Sequence, residues 1–439
     1  MKVAFISLGC AKNLVNAEQM MYLTRQAGYE VTGEPEGAEV CVLNTCGFIE
    51  TAQAEAIDHV LSLAQLKAKG KLGKLLVTGC LTQRHGETVL AELPEIDGIL
   101  GTGSYDCIVE AIEQVVQGGA PCHFGNIDQT NEELGRVRAT PAYWAYLKIA
   151  EGCDNRCAYC VIPSLRGAFR SRPIENLLAE AEALAADGVK ELIVVAQDIT
   201  RYGTDLYGRR RLTELLEALC NIKGVHWIRL HYLYPDEIDD ALIAVIAREE
   251  KILKYIDLPI QHISDTILKS MNRRSSGEEI RALLAKLRVQ IPGVVLRTSL
   301  ITGFPGEGET EFEELVQFLT EARIERAGVF PFSPQEGTTA IDLPHQVEPE
   351  VAELRAERLR AIELGVMEAH CESLLGQRLE VLCEGFDEDE GCYTGRSFAD
   401  SPDIDGRVLF TAAERPQAGS FLMVRITSVQ DGDLFGEAE

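Results

Sequence analysis

The stretch Ile149-Ala150-Glu151-Gly152-Cys153-Asp154-Asn155-Arg156-Cys157-Ala158-Tyr159-Cys160 puts three thiols into one short loop. With three residues and then two between the cysteines, one turn of backbone can aim all three sulfurs at a common point. Soft thiolates converging this closely suit an iron-sulfur cluster. Three ligands leave one iron of a cubane open, and an open metal position is where a substrate or cofactor binds. A structural zinc site, the plainer alternative, is normally closed by four ligands.

The elements around that loop follow from periodicity. Residues 145–150 read as a strand entering it, and Pro173, a good first-turn residue, opens a helix to Asp187. Strands then recur at 192–196, 227–231, 255–258, 294–301 and 327–332, with helices between. About six strand-helix units in a row imply a parallel barrel or part of one, with chemistry at the C-terminal ends of the strands.

Upstream, the apolar run 2–7 stops at Gly9-Cys10 and a helix follows over 13–26, closed by Gly28. The pattern repeats: 40–44 leads into Thr45-Cys46-Gly47 and a helix to about Lys69, and 75–77 into Thr78-Gly79-Cys80 and a shorter helix. Such alternation argues for an open parallel sheet, whose post-strand loops gather along one edge. Cys10, Cys46 and Cys80 fall at equivalent ends of three units, which suggests a second three-thiolate site. Cys41, inside a strand run, reads as a small buried hydrophobe, as do Cys107, Cys122, Cys220, Cys371, Cys383 and Cys392. Residues 118–141 show little periodicity and read as a connector.

Residues 349–373 read as a connecting helix. Short strands at 378–384, 391–396, 407–410 and 421–428 then suit a small antiparallel barrel. Residues 383–439 hold four Arg, no Lys and thirteen Asp or Glu, a net charge of -9 in a chain whose total is -27. That is the wrong sign for gripping phosphates, so a basic protein is the expected partner and direct nucleic-acid binding is not expected. Thirteen cysteines, an odd number in a long chain, point to a reducing compartment with metal ligands, so a cytoplasmic location is expected. No apolar run is long enough for a membrane span, and the N-terminal run is too short for a signal peptide.

The cysteine loop, with Tyr159 just before its last cysteine, resembles the radical S-adenosylmethionine (SAM) superfamily. Leu8-Gly9-Cys10-Ala11-Lys12-Asn13-Leu14-Val15-Asn16 and Asn44-Thr45-Cys46 resemble the N-terminal domain of its methylthiotransferases. So do the blocks Cys160 to Gly167, Ser171-Arg172-Pro173, Asp257 to His262, Thr302 to Glu307 and Phe332 to Thr338, in the same order. That family often has proline where Ala11 stands and aspartate where Asn16 stands; neither is a proposed ligand. The end of the chain resembles a TRAM module, and residues 394–406 resemble the branch of the family that modifies ribosomal protein uS12.

The resemblance implies an α/β chain of three domains: an N-terminal open parallel sheet (1–130), a central radical-SAM partial barrel (140–370) and a C-terminal TRAM barrel (372–439). It implies two 4Fe-4S clusters, on Cys153, Cys157 and Cys160 and on Cys10, Cys46 and Cys80, and SAM as cofactor. Tyr159, Gln197, Asp198, Thr302 and Gly303 would line the SAM pocket, with His262, Arg172 and Arg297 as weaker candidates. No catalytic residue is expected beyond the cluster ligands. The implied reaction is methylthiolation of the β carbon of an aspartate in uS12, free or in the small ribosomal subunit, with an electron donor as a further partner. A transfer-RNA adenosine methylthiotransferase and a non-catalytic iron-sulfur scaffold are the alternatives.

Overall fold

Runs such as Val40–Thr45, apolar with no charged interruption, form strands buried along their whole length, as a parallel sheet covered on both faces requires. The computed structural model describes residues 1–129 and 133–439; the expected domain boundary at residue 130 lies outside them. The first sheet comprises β1 (Lys2–Ser7), β2 (Glu30–Thr32), β3 (Val40–Thr45), β4 (Lys74–Gly79), β5 (Gly98–Leu100) and β6 (Cys122–His123). Its order is β2-β1-β3-β4-β5-β6 and every pairing is parallel. Val3, Phe5, Val42 and Leu76 pack on one face against Met20 and Ile112 from helices Ala11–Gln26 and Ile108–Val116. Leu43 and Leu75 pack on the other against Val60 and Leu63 of helix Glu50–Ala68.

The second sheet is built from β7 (Trp144–Lys148), β10 (Glu191–Val195), β11 (Trp227–Leu230), β12 (Ile252–Gln261), β13 (Val295–Thr302) and β14 (Arg326–Pro331). These six parallel strands run in the order β14-β13-β12-β11-β10-β7, an arc with β7 and β14 as its edges. Between β7 and β10 a small antiparallel pair, β8 (Ala150–Glu151) with β9 (Arg170–Ser171), closes the base of the cysteine loop. The connecting helix spans Pro349–Ser373, the residues expected for it.

The last module is a closed barrel of β15 (Arg378–Asp387), β16 (Cys392–Arg396), β17 (Val408–Thr411), β18 (Phe421–Gln430) and β19 (Asp433–Ala438). The fifth strand was not expected, and it pairs with β17 in parallel. Strand directions can alternate all the way round only with an even number, so five strands force one parallel neighbour.

Other departures from the sequence reading are local. Strand β6 lies inside the expected connector, and its Cys122 is exposed. Cys107, Cys220 and Cys392 are also partly exposed, whereas Cys41, Cys371 and Cys383 are buried. Among the described residues no helix is long and apolar enough to cross a membrane.

Candidate active site between two cysteine triads

The first triad sits where β1, β3 and β4, neighbours in the sheet, each release the chain. Cys10 caps helix Ala11–Gln26, Cys46 follows Thr45 directly, and Cys80 opens helix Cys80–His85. Glycines let the three loops touch. A Cβ on Gly9 would lie 2.7 Å from the Cys46 Cβ, and one on Gly47 would lie 2.8 Å from the Cys80 backbone. Gly79, at φ 103°, allows no Cβ either, because one would sit 2.5 Å from the Thr45 carbonyl oxygen. Asn13 holds the loops by donating to the carbonyls of Leu8 (2.8 Å) and Thr45 (3.2 Å), and Asn44 donates to the Asn13 carbonyl (2.8 Å).

The second triad is held by the barrel. The Cys153 N–H donates to the Gly167 carbonyl, and Ala158 is stitched on both sides, donating to Met271 and accepting from Ala340. Gly152, at φ 78°, passes so close to Ala168 that a Cβ would meet its carbonyl oxygen at 2.0 Å. The Tyr234 hydroxyl lies 3.0 Å from the Cys157 Sγ, and Arg273 stacks on the Tyr234 ring at 4.2 Å while reaching the same sulfur at 3.9 Å.

Arg166, six residues past Cys160, joins the two sites. Its guanidinium donates to Asn16 Oδ1 (2.8 Å), Asn13 Oδ1 (2.9 Å) and Cys80 Sγ (3.2 Å), and pairs with Glu151 at 3.4 Å. Glu151 also takes the buried Lys148 ammonium at 2.9 Å and the Gln197 amide. Burial opposes charge on Glu151, yet Lys148 and Arg166 outweigh it and hold the carboxyl far below the usual carboxylate range.

The thiols respond to the same surroundings. Burial pushes Cys46 and Cys153 up to about 11 and raises Cys160 further; it also raises Cys80, with Arg166 opposing. Burial would raise Cys10 as well, but the Lys12 and Arg166 cations bring it below an ordinary thiol. Thiols raised in this way give up their protons on metal binding, which ties loading to pH. Among the described residues, no three or more His, Cys, Asp or Glu side chains are grouped so as to hold a metal ion. A mononuclear zinc site needs sulfurs about 2.3 Å from one centre. A cubane gives each thiolate its own iron, so its ligands stand farther apart, and an all-thiolate donor set is the chemistry such a cluster takes.

The residues expected at a SAM pocket are placed as follows. Tyr159 sits edge-on to Phe304, ring centroids 6.5 Å apart. Asp198 is buried and accepts from Asn155 (2.8 Å), inside the cysteine loop, and from Thr200; burial raises its carboxyl. The Thr302 hydroxyl donates to the Ala352 carbonyl at 2.9 Å, and a Cβ on Gly303 would strike the Ala352 Cβ at 2.2 Å. The Thr302 turn is therefore shaped by the connecting helix. His262 Nε2 meets Glu307 Oε2 at 3.2 Å, and Glu307 accepts from the Gly303 N–H at 2.9 Å. Arg172 pairs with Glu133 and Glu180, and Arg297 with Asp257. Arg166, Glu151, Tyr234 and Arg273 carry no role that the sequence alone assigns; the available sign is a basic residue six positions past the last cysteine.

Three family models match the chain: the uncharacterized protein family UPF0004 over residues 2–101, the radical SAM superfamily over 147–319 and the TRAM domain over 375–438. A protein of Lachnoclostridium phytofermentans named ribosomal protein uS12 methylthiotransferase RimO is 47% identical over 440 residues, covering 100% of each chain. One of the same name from Pelotomaculum thermopropionicum is 49% identical over 438 residues, 99% of each. Among solved structures, the radical SAM methyltransferase TsrM of Kitasatospora setae, with cobalamin and a 4Fe-4S cluster bound, superposes with a TM-score of 0.56 at 12% identity. That match covers 78% of this chain and 77% of that one. The cobalamin-dependent radical enzyme OxsB, with SAM bound, gives 0.51 at 13% identity, covering 84% and 56%.

Proposed function

Because this chain belongs to the RimO family of ribosomal protein uS12 methylthiotransferases, we propose that it installs a methylthio group on the β carbon of an aspartate of uS12. Two 4Fe-4S clusters and SAM would, when bound, supply the carbon radical, the sulfur and the methyl group, chemistry that protein side chains cannot provide unaided. In this reading Cys153, Cys157 and Cys160 hold the cluster that meets SAM, and Cys10, Cys46 and Cys80 hold the second. Tyr159, Gln197, Asp198, Thr302 and Gly303 shape the SAM pocket.

The chain's own work is positional. Asp198 and Asn155 fix the cysteine loop against β10, the Tyr234 hydroxyl shares a hydrogen bond with Cys157, and Arg273 donates toward the same sulfur. Arg166 ties the Cys80 loop to Glu151, at the base of the second cysteine loop. The observation that carries the reading is this single side chain touching Cys80 from a helix that begins two residues after Cys160. The same reading divides the chain at about 130–140 and 370–372, places it in the cytoplasm and gives it an external electron donor.

The test is anaerobic reconstitution with iron and sulfide, followed by mass spectrometry of uS12 after incubation with SAM and a reductant. A methylthio mass increment on one aspartate supports the proposal; an unmodified uS12 beside a modified transfer RNA overturns it. Cys157→Ala should abolish deoxyadenosine formation. Cys46→Ala should spare it and stop thiolation.

A further inference from the structure

We propose that Lys12 is the residue that receives the carboxylate of the substrate aspartate, and so selects aspartate as the residue to be modified. The inference rests on the function proposed above and adds the group that would hold the reacting side chain.

Lys12 lies in the first triad, two residues after Cys10, and only 7% of its surface is exposed. A buried ammonium has three donors to satisfy and is costly to leave without a partner. Among the described residues it is held by the Tyr232 side chain, 3.5 Å from Nζ to the ring centroid with the phenol oxygen also drawing on it, and it feels the Cys10 thiol and the Glu151 carboxylate through their charge. The carboxylate that bears on it, Glu151, is already committed to Lys148, Arg166 and Gln197. The other buried cations around the two triads have oxygen or sulfur partners: Lys148 has Glu151, Arg166 has Asn13, Asn16 and Cys80, and Arg273 has the Pro259 carbonyl. Among the described residues, Lys12 is the buried cation of this site with a phenol for a partner and hydrogen-bonding capacity to spare.

Its platform is built for the purpose. Tyr232 follows β11 at φ 62°, a left-handed conformation that a bulky side chain resists. It is pinned there by its N–H to Asp257 Oδ2 (3.0 Å) and by its carbonyl accepting from the Ile199 N–H (3.1 Å). The strained turn stands at the C-terminal end of β11 and holds the ring against a lysine in the first turn of helix Ala11–Gln26. An aspartate whose carboxylate met this ammonium would have its β carbon, one bond away, fixed beside Cys10. An asparagine in its place would offer only a neutral oxygen, and charge-assisted bonds are about twice as strong as neutral ones.

The experiment compares uS12 with a variant carrying Asn at the modified position, measuring the affinity of each for the reconstituted full-length protein. The unaltered protein should bind the Asp form roughly tenfold or more tightly, as expected for a hydrogen bond between charged groups. Lys12→Met and Lys12→Gln should bring that ratio close to one when compared at matched iron and sulfide content, and Lys12→Arg should retain a preference. A ratio that survives in the Met and Gln variants, or equal affinities in the unaltered protein, overturns the assignment. A role limited to balancing cluster charge would alter loading and leave the ratio where it was. Failure of the unaltered protein to modify uS12 at all would instead sink the function on which the inference rests.

Discussion

Arg166 is 3% exposed and spends its guanidinium on two asparagines, a glutamate and a thiol drawn from both halves of the site. Arg166→Met would keep much of the volume and leave Glu151 with Lys148 as its remaining ion-pair partner, beside the Gln197 amide. Removing one member of a buried charged set typically costs about 3–5 kcal/mol, so the cluster-free protein should lose stability of that order in urea. A loss under 1 kcal/mol would mean that water replaces the guanidinium freely. The six proposed ligands stand out in the sequence because thiols are scarce and, in the second triad, closely spaced. Lys12, Arg166 and Tyr234 were not, since Lys, Arg and Tyr are common residues. Their roles come from contacts such as Arg166 to Cys80, 86 residues apart, which no local pattern reports.

At the scale of elements, the first triad depends on how tightly three post-strand loops are pressed together. Gly79→Ala would put a methyl 2.5 Å from the Thr45 carbonyl oxygen in a backbone conformation, φ 103°, that alanine resists. Strain of this kind costs about 1–3 kcal/mol. The variant should bind less iron per chain while the spectrum of the other cluster persists; full loading would show that the loops can shift at no cost. The sequence was informative about long elements. Helix Pro349–Ser373 and all six strands of the arc were expected near their observed places. Strands β2, β5, β6 and β19 were missed for a physical reason: the first three have only two or three residues, too few to show a period, and exist because a neighbour offers hydrogen bonds. β19 pairs along its length with β18 and β17, contacts that a sequence does not display.

Across the whole molecule, the C-terminal barrel finishes the interior of the arc. Glu191, on β10, pairs with Arg229 of β11 (2.8 Å) and with Arg396 of β16 (2.7 Å), all three buried. Glu191→Ala would leave two guanidiniums facing each other, and about 3–5 kcal/mol of stability should go with it, read as an earlier urea midpoint. His231 faces the same junction, 3.0 Å from the Ser401 hydroxyl, with Asp257, Arg229, Arg297 and Asp405 around it. Burial pushes its imidazole down to about 4. Between roughly pH 6.5 and 4 the unfolded chain therefore binds a proton that the native one refuses, and stability falls as pH drops through that window. The shift corresponds to about 3 kcal/mol. Denaturation midpoints measured from pH 7 to pH 4 should show this slope, and His231→Gln should flatten it.

The loop from Ser397 to Asp405 carries this junction: Tyr255 donates to Asp405 (2.7 Å), Arg326 pairs with Asp400 (2.9 Å), and Arg229 donates to the Phe398 carbonyl (2.8 Å). The terminal module is thus no detachable cassette. Grafting it from another protein would work only if the donor brought matching acids and carbonyls to those arginines, and trimming it away would flood the catalytic half from below.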